Sequence, residues 1–347
     1  MKLLHWDGRT GTAKLLTHTM DDLWHLYNLV SPGNLVHAST HRRGEEKSDK
    51  LRAERADKKR MWLGIRVEKV EFHEFSDRLR ISGTIEEGPQ DIGQHHTLNL
   101  EPGDDIELTR EWRAIDQQRV RDAEKATHQP LVTFIALDDE EAVFAVVRQY
   151  GVQEIARIKS NKAGKDYPSA KGQKEAYFME ILDKLAGMHG SDALIIIGPG
   201  FEKEELSSYA REKRPELVKG AQVLGTGQTG MRAVSEVMKG NKAGDIVSGG
   251  RVAMETSLVE ELMARMGKDG AVAYGPAEVK SAIESGAAET LLITDELVRE
   301  KGSEELMRLA ESTACRVVVI STVHEGGKEL SSLGGAGALL RYKLSGS

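Results

Sequence analysis

Ala193-Leu194-Ile195-Ile196-Ile197-Gly198-Pro199-Gly200-Phe201 reads as a fully apolar strand stopped by a Gly-Pro-Gly turn. A strand without polar alternation is buried on both faces, and the charged stretch after it, from about Glu202 to Glu212, has helical propensity. Upstream lie two more apolar strands, Val132 to Ala136 and Ala142 to Gln149, then Glu154 to Lys159 and a basic loop. A helix over Gly172 to Ala186 follows, with Ala176, Met179, Leu182 and Leu185 expected on one face. Strand, crossover helix and strand in this order imply a mixed or parallel sheet of the βαβ type.

The same logic recurs toward the carboxy terminus. Ser257-Leu258-Val259-Glu260 has the pattern of a capping box opening a helix that Gly267 closes. Gly275-Pro276 opens another helix, ended by Gly286. Strands at Thr290 to Thr294, Arg316 to Ser321 and Ala338 to Leu344, with a helix near Glu304 to Ala310, complete an α/β/α sandwich. The amino-terminal third differs. A helix from Met20 to Val30, capped by Thr19, precedes short strands at Leu35 to Thr40, Trp62 to Phe75, Arg78 to Ile85, His96 to Leu100 and Ile106 to Glu111, which predict a small barrel. The charged stretch Arg113 to Gln129 has few apolar residues and suits a hinge helix. The expected division is 1–128, 129–254 and 255–347, a multidomain α/β protein.

At 347 residues the chain exceeds one ordinary domain, and its 30% charged residues suit a soluble, cytosolic protein. No apolar run reaches the roughly 18 residues of a membrane span, and residues 1–7 lack a signal-peptide layout. One cysteine, Cys315, excludes an internal disulfide and a multi-cysteine zinc site, and is expected to be buried. The net charge of −7 conceals two basic patches: His41 to Arg60 holds nine Lys or Arg against five acids, and Arg157 to Lys174 six against one. Screening over about 8 to 10 Å lets such patches meet phosphates on an acidic protein.

Three motifs are weighed for chemistry. Gly225-Thr226-Gly227-Gln228-Thr229-Gly230 matches a dinucleotide fingerprint, but Asp245 follows a loop instead of ending a second strand, so the glycines serve a turn. No P-loop lysine pattern occurs, so nucleotide energy must come from a partner. Paired carboxylates at Asp21-Asp22, Asp104-Asp105 and Asp138-Asp139 are the raw material of a two-metal nuclease, although helix first-turn charge and turn chemistry explain the first two pairs.

Ungapped stretches along the whole chain resemble the Pelota family. They include Asp21-Asp22-Leu23-Trp24-His25-Leu26-Tyr27-Asn28-Leu29, Ser31-Pro32-Gly33, Thr40-His41-Arg42-Arg43, His95 to Asp104, Gly198 to Phe201, Ala273 to Pro276, Glu289 to Leu297 and Leu333-Gly334-Gly335. The resemblance implies an Sm-like barrel followed by two α/β domains similar to the central and carboxy-terminal domains of class 1 release factors. Those factors hydrolyse peptidyl-tRNA through a Gly-Gly-Gln loop, which is absent here: Gly227-Gln228 follows Thr226, and the loop at Ser160 to Lys171 has no Gln.

What the resemblance implies is recognition of a stalled ribosome with an empty A site, its rescue and subunit dissociation, and no-go or non-stop mRNA surveillance. Pro32, Gly33, His41, Arg42 and Arg43 would meet RNA at the decoding site, and Arg157, Lys159, Lys162, Lys165 and Lys171 would form a second RNA contact. Gly198, Pro199, Gly200 and Phe201 would meet a GTPase of the elongation factor 1-alpha type. The acidic last domain would share that contact and meet an ABC-type recycling ATPase. No cofactor, no membrane and a monomer are implied. The competing reading is a divalent-metal endoribonuclease, with Asp21 and Asp22 as its candidates. Where the family usually has Asp after Pro-Gly, this chain has Asn34.

Overall fold

The structure is a computed structural model, and it describes residues 1–43, 58–73, 78–126, 131–160, 170–188, 193–239, 251–300 and 303–344. The chain divides into two compact units, Met1–Gln129 and Pro130–Ser347. The expected architecture, a small barrel followed by two α/β domains, is found.

The first unit contains β1 (Lys2–Asp7), β2 (Thr12–Leu16), α1 (Met20–Leu29), β3 (Leu35–Arg43), β4 (Lys58–His73), β5 (Arg78–Glu87), β6 (His95–Leu100), β7 (Asp105–Thr109) and α2 (Ala114–Ala126). The strands form an antiparallel sheet in the order β1-β2-β7-β3-β4-β5-β6. β4 is bent by register shifts at Gly64/Ile65 and Val67/Lys69. Gly83 is required opposite that bend, because a Cβ there would sit 1.9 Å from the Arg66 carbonyl. The bend returns β6 toward β3, where Thr40 Oγ1 meets His96 Nε2 at 3.0 Å. Alternating residues such as Leu63, Ile65, Leu79, Ile81, Leu98 and Leu108 fill the interior beneath α1.

Two expectations need correction here. β1 and β2 escape the sequence reading because Lys2–Asp7 is only partly buried and carries a bulge at Leu3/His5. The expected hinge helix corresponds to α2, whose described residues pack on the first unit's core. Val120 and Ala123 enter the core, Arg119 lies 5.6 Å over the Trp24 ring, and Asp116 Oδ2 accepts from Arg110 at 3.0 Å. Buried charge supplies the packing that its sparse apolar residues do not suggest.

The second unit holds two sheets. The first, β10-β9-β8-β11-β12, comprises β8 (Val132–Leu137), β9 (Glu141–Val147), β10 (Val152–Lys159), β11 (Ala193–Gly198) and β12 (Gln222–Gly225). β8, β11 and β12 run parallel while β9 and β10 form an antiparallel meander, so the sheet is mixed. α3 (Ala170–Ala186) and α4 (Glu202–Lys213) cover one face. α3 turns Tyr177, Phe178, Ile181, Leu182 and Leu185 inward, leaving Ala176 exposed, a face rotated toward the aromatic pair relative to the expected one. α5 (Gly230–Lys239) covers the other face.

The second sheet, β13-β16-β14-β15, comprises β13 (Val272–Tyr274), β14 (Ala288–Thr294), β15 (Arg316–Ile320) and β16 (Ala336–Leu340). Around it lie α6 (Arg251–Gly267), α7 (Pro276–Glu284), the one-turn α8 (Asp295–Val298), α9 (Ser303–Ser312) and α10 (Glu325–Ser332). α6 already includes Arg251, so the Ser257 capping box falls inside it and the expected break at 254/255 cuts a continuous helix. The turn ahead of that box is fixed by tertiary packing: Val252 is buried in the core of the first sheet. Among the described residues no helix is long and apolar enough to cross a membrane.

Candidate functional site

In the first unit the Pro32-Gly33 turn is exposed and tightly braced. Gly33 adopts φ +87, its N–H donates to Val67 O at 2.8 Å, and a Cβ there would meet nothing within 4 Å. Asn34 Oδ1 accepts from Ser31 N at 3.0 Å, so Asn performs the turn-capping that an Asp would perform without the charge. Arg66, which sequence reading missed, donates to Gly33 O at 2.9 Å and forks onto Glu86 at 2.9 and 2.5 Å. Only a fold that lays β4 beside the turn could reveal that brace.

The β3–β4 ladder continues through His41↔Arg60, Arg42↔Lys59 and Arg43↔Lys58, concentrating basic residues at one end of the hairpin. His41, Lys59 and Arg60 are exposed there. Arg42 departs from expectation. Its side chain is 17% exposed, its Nε lies 2.6 Å from Asp91 and its Nη2 donates to Gln94 at 2.8 Å, so this guanidinium is committed to the β5–β6 turn instead of offered to a phosphate. Burial, then the Arg42 charge, push the neighbouring His96 below its ordinary pKa, which favours the neutral ring. The side chain of Arg43 lies outside the described residues.

The second basic patch is only partly visible. Arg157 reaches Glu154 at 3.0 and 2.9 Å and Glu141 at 2.5 Å, so its charge is met by two carboxylates on its own sheet. Lys159 is exposed at the end of β10. Lys162 and Lys165 lie outside the described residues, as does the side chain of Lys171.

Between β11 and α4, Gly198 is required by close approach: a Cβ there would lie 1.9 Å from Leu137 O. Gly200 adopts φ +64, and Pro199 completes the turn. Phe201 then stands at the start of α4, 78% exposed, beside Glu202, Glu204 and Glu205 in the first turn. Lys203 folds back onto the Gly200 carbonyl. An exposed phenyl on a backbone held from both sides is an apolar group whose position is fixed in advance.

The carboxylates considered for nuclease chemistry diverge. Asp22 is buried, its Oδ2 accepts from His18 N at 2.7 Å and Thr19 N at 3.1 Å in a capping box, and its Oδ1 pairs with the Met1 amino group. Asp21 is half-buried at the adjacent helix position, turned by about 100° from it. Among the described residues no group of three or more His, Cys, Asp or Glu is placed to share a metal ion. Gly227-Gln228 lies in the β12–α5 loop, pinned by Gly227 N to Glu236 at 2.9 Å and Thr226 Oγ1 to Gln228 O at 2.9 Å.

Residues 1–124 match the Pelota N-terminal domain and residues 252–344 match eRF1 domain 3. The protein pelota homolog of Methanosarcina acetivorans is 41% identical over 346 residues, spanning 98% of this chain and 97% of its own. The crystal structure of Thermoplasma acidophilum Pelota is similar with a TM-score of 0.79 at 25% identity, covering 99% of this chain and 100% of that one. Dom34 of S. cerevisiae, a translation termination-like factor involved in RNA quality control pathways and interacting with Hbs1, shares the fold with a TM-score of 0.54 at 20% identity, covering 100% and 99%. By its identity to these archaeal proteins along almost its entire length, the chain belongs to the Pelota family.

Proposed function

We propose that this protein recognises ribosomes stalled with an empty A site and promotes their rescue and subunit dissociation in no-go and non-stop mRNA surveillance. The observation that carries this reading is family membership along nearly the whole chain. The barrel at 1–128 meets rRNA and mRNA in the decoding site through Pro32, Gly33, His41 and Arg43, with Lys59 and Arg60 beside them, while Arg42 shapes the hairpin from inside. The central domain at 129–254 touches RNA through Lys159 and its neighbouring lysines. It presents Phe201 to a GTPase of the elongation factor 1-alpha type. The last domain, 255–347, adds to that contact and meets an ABC-type recycling ATPase.

Because the central domain has no Gly-Gly-Gln, peptidyl-tRNA stays intact. In this reading the protein acts without a cofactor and without catalysis of its own, as a cytoplasmic monomer. The endoribonuclease alternative would need a divalent cation. It draws little support from Asp22, whose two oxygens already serve the α1 cap and an ion pair.

The test is sucrose-gradient analysis of archaeal ribosomes stalled on truncated mRNA, incubated with the protein, the GTPase, the ATPase, GTP and ATP. Subunits separating with uncut peptidyl-tRNA is the expected result. Intact 70S particles despite active partners would overturn rescue, and chelator-sensitive mRNA cuts lost in Asp21→Asn/Asp22→Asn would establish the nuclease.

A further inference from the structure

Among the described residues of the first unit, the most exposed large apolar side chain is Ile92, 67% accessible in the β5–β6 turn. Its turn is tightly bonded. Gly93 N donates to Ile85 O at 2.8 Å, Ile85 N to Gln94 O at 2.9 Å and Gln94 N to Asp91 O at 3.0 Å. Asp91 adopts φ +61, in the left-handed region that side chains rarely enter and that Asp tolerates better than most. Its Oδ2 accepts from Arg42 Nε at 2.6 Å and from Gln90 Nε2 at 3.2 Å, and the same guanidinium donates to Gln94 at 2.8 Å. On the other flank Gly88 lies so close to β4 that a Cβ there would sit 2.4 Å from Leu63 Cδ2. The residue before Ile92 and the residue two after it are both held by Arg42 of β3, so the isoleucine is presented on a backbone fixed in advance.

Arg42 also ties this turn to the basic end of the β3–β4 ladder, since its backbone pairs with Lys59 while its side chain serves Asp91. The carboxylates at the turn and its base are matched: Asp91 by Arg42, Glu86 by the Arg66 fork, and Glu87 lies 3.0 Å from His37 Nε2. Lys59 and Arg60 are exposed, and no carboxylate among the described residues pairs with either. What is left for a partner is one aliphatic group flanked by cations. A protein face that met it would have to be apolar and acidic at once. RNA supplies both chemistries in a single nucleotide, because the faces of base and ribose are largely apolar and the phosphate is anionic. Isoleucine is among the apolar side chains that nucleic-acid-binding proteins set against bases beside phosphate contacts.

We propose that Ile92 is an RNA-contacting wedge. Its side chain packs against an unpaired base or its ribose, Lys59 and Arg60 meet the neighbouring phosphates, and Arg42 positions the wedge without touching RNA itself. The inference rests on the rescue reading for where that RNA lies, at the decoding site, and adds an apolar contact to the polar ones assigned there. It also gives the inward turn of Arg42 a purpose: a charge withheld from phosphate fixes the side chain that reaches a base.

The test uses the full chain and archaeal ribosomes stalled on truncated mRNA. Ile92→p-benzoylphenylalanine, irradiated in that complex, should give an adduct that ribonuclease removes; an adduct with ribosomal protein alone, or none, would overturn the RNA contact. Ile92→Ser should weaken binding about tenfold, by the same factor at every salt concentration, while Ile92→Leu binds as the parent does and the unfolding midpoint is unchanged in both. Arg60→Ala should instead lower the slope of log affinity against log salt by about one, and an unchanged slope would remove its phosphate. Arg42→Gln should add little to Ile92→Ser in the double variant, whereas fully additive losses would deny that Arg42 acts through Ile92. Equal affinity of Ile92→Ser and parent would overturn the wedge alone. A parent that does not bind these ribosomes would remove the rescue reading, and the same comparison on poly(U) RNA then decides the wedge: equal binding by parent and Ile92→Ser, or none by either, overturns it.

Discussion

Two exposed turns of this protein are held by opposite means. The Pro32-Gly33 turn is braced by side chains, with Arg66 and Asn34 supplying the bonds, and there is open space where a Gly33 Cβ would go. The Gly198–Phe201 turn is held by the absence of a side chain, because Leu137 O occupies the place a Cβ at Gly198 would need. A glycine in the first turn answers a torsional demand and in the second a spatial one. Torsional demands cost little when violated, while spatial ones displace a strand.

Replacement of Gly198 by Ala is the severest break in that contrast. It should cost about 2 to 3 kcal/mol in urea unfolding, since β8 must move to admit the methyl. A loss below about 0.5 kcal/mol would show that the turn yields. Next in size, Phe201→Ala should leave the unfolding midpoint alone and weaken GTPase binding about tenfold, roughly 1.4 kcal/mol, in calorimetric titration. Unchanged affinity would remove Phe201 from the interface. Gly33→Ala should cost about 1 kcal/mol for a positive φ without a clash, and an effect as large as that at Gly198 would erase the distinction. Asn34→Asp, which preserves the Oδ1 acceptor, should shift stability by no more than about 0.5 kcal/mol; a larger loss of stability would mean that the added charge matters to the turn.

Local signals were readable where the physics is local. The run Ala193 to Ile197 is a strand buried on both faces because nothing in it tolerates water, and Thr19 caps α1 through bonds within four residues. Non-local partnerships were not readable. Arg42 reads as a free cation until the barrel brings Asp91 and Gln94 to it from about fifty residues away. Arg66 sits in the middle of a strand and is recognisable as the brace of a turn only once β4 lies beside that turn. Ser257-Leu258-Val259-Glu260 fits a capping box in type, yet the helix extends back to Arg251, held there by a neighbouring sheet. The basic patches were visible as composition, whereas the carboxylates that neutralise Arg157 became visible only in the sheet that pairs β9 with β10.

The double allegiance of α6 also bears on inheritance. The eRF1 domain 3 match begins at Val252, the residue whose side chain lies in the preceding domain's core. Recombination that exchanged the last domain between relatives would therefore transplant one side chain into a foreign interior, and a crossover at residue 255 would split a helix between two ancestors. Lineages that shuffle these domains are expected to keep the volume at position 252 matched to Phe134 and Val237, so that one valine couples the histories of two otherwise separable modules.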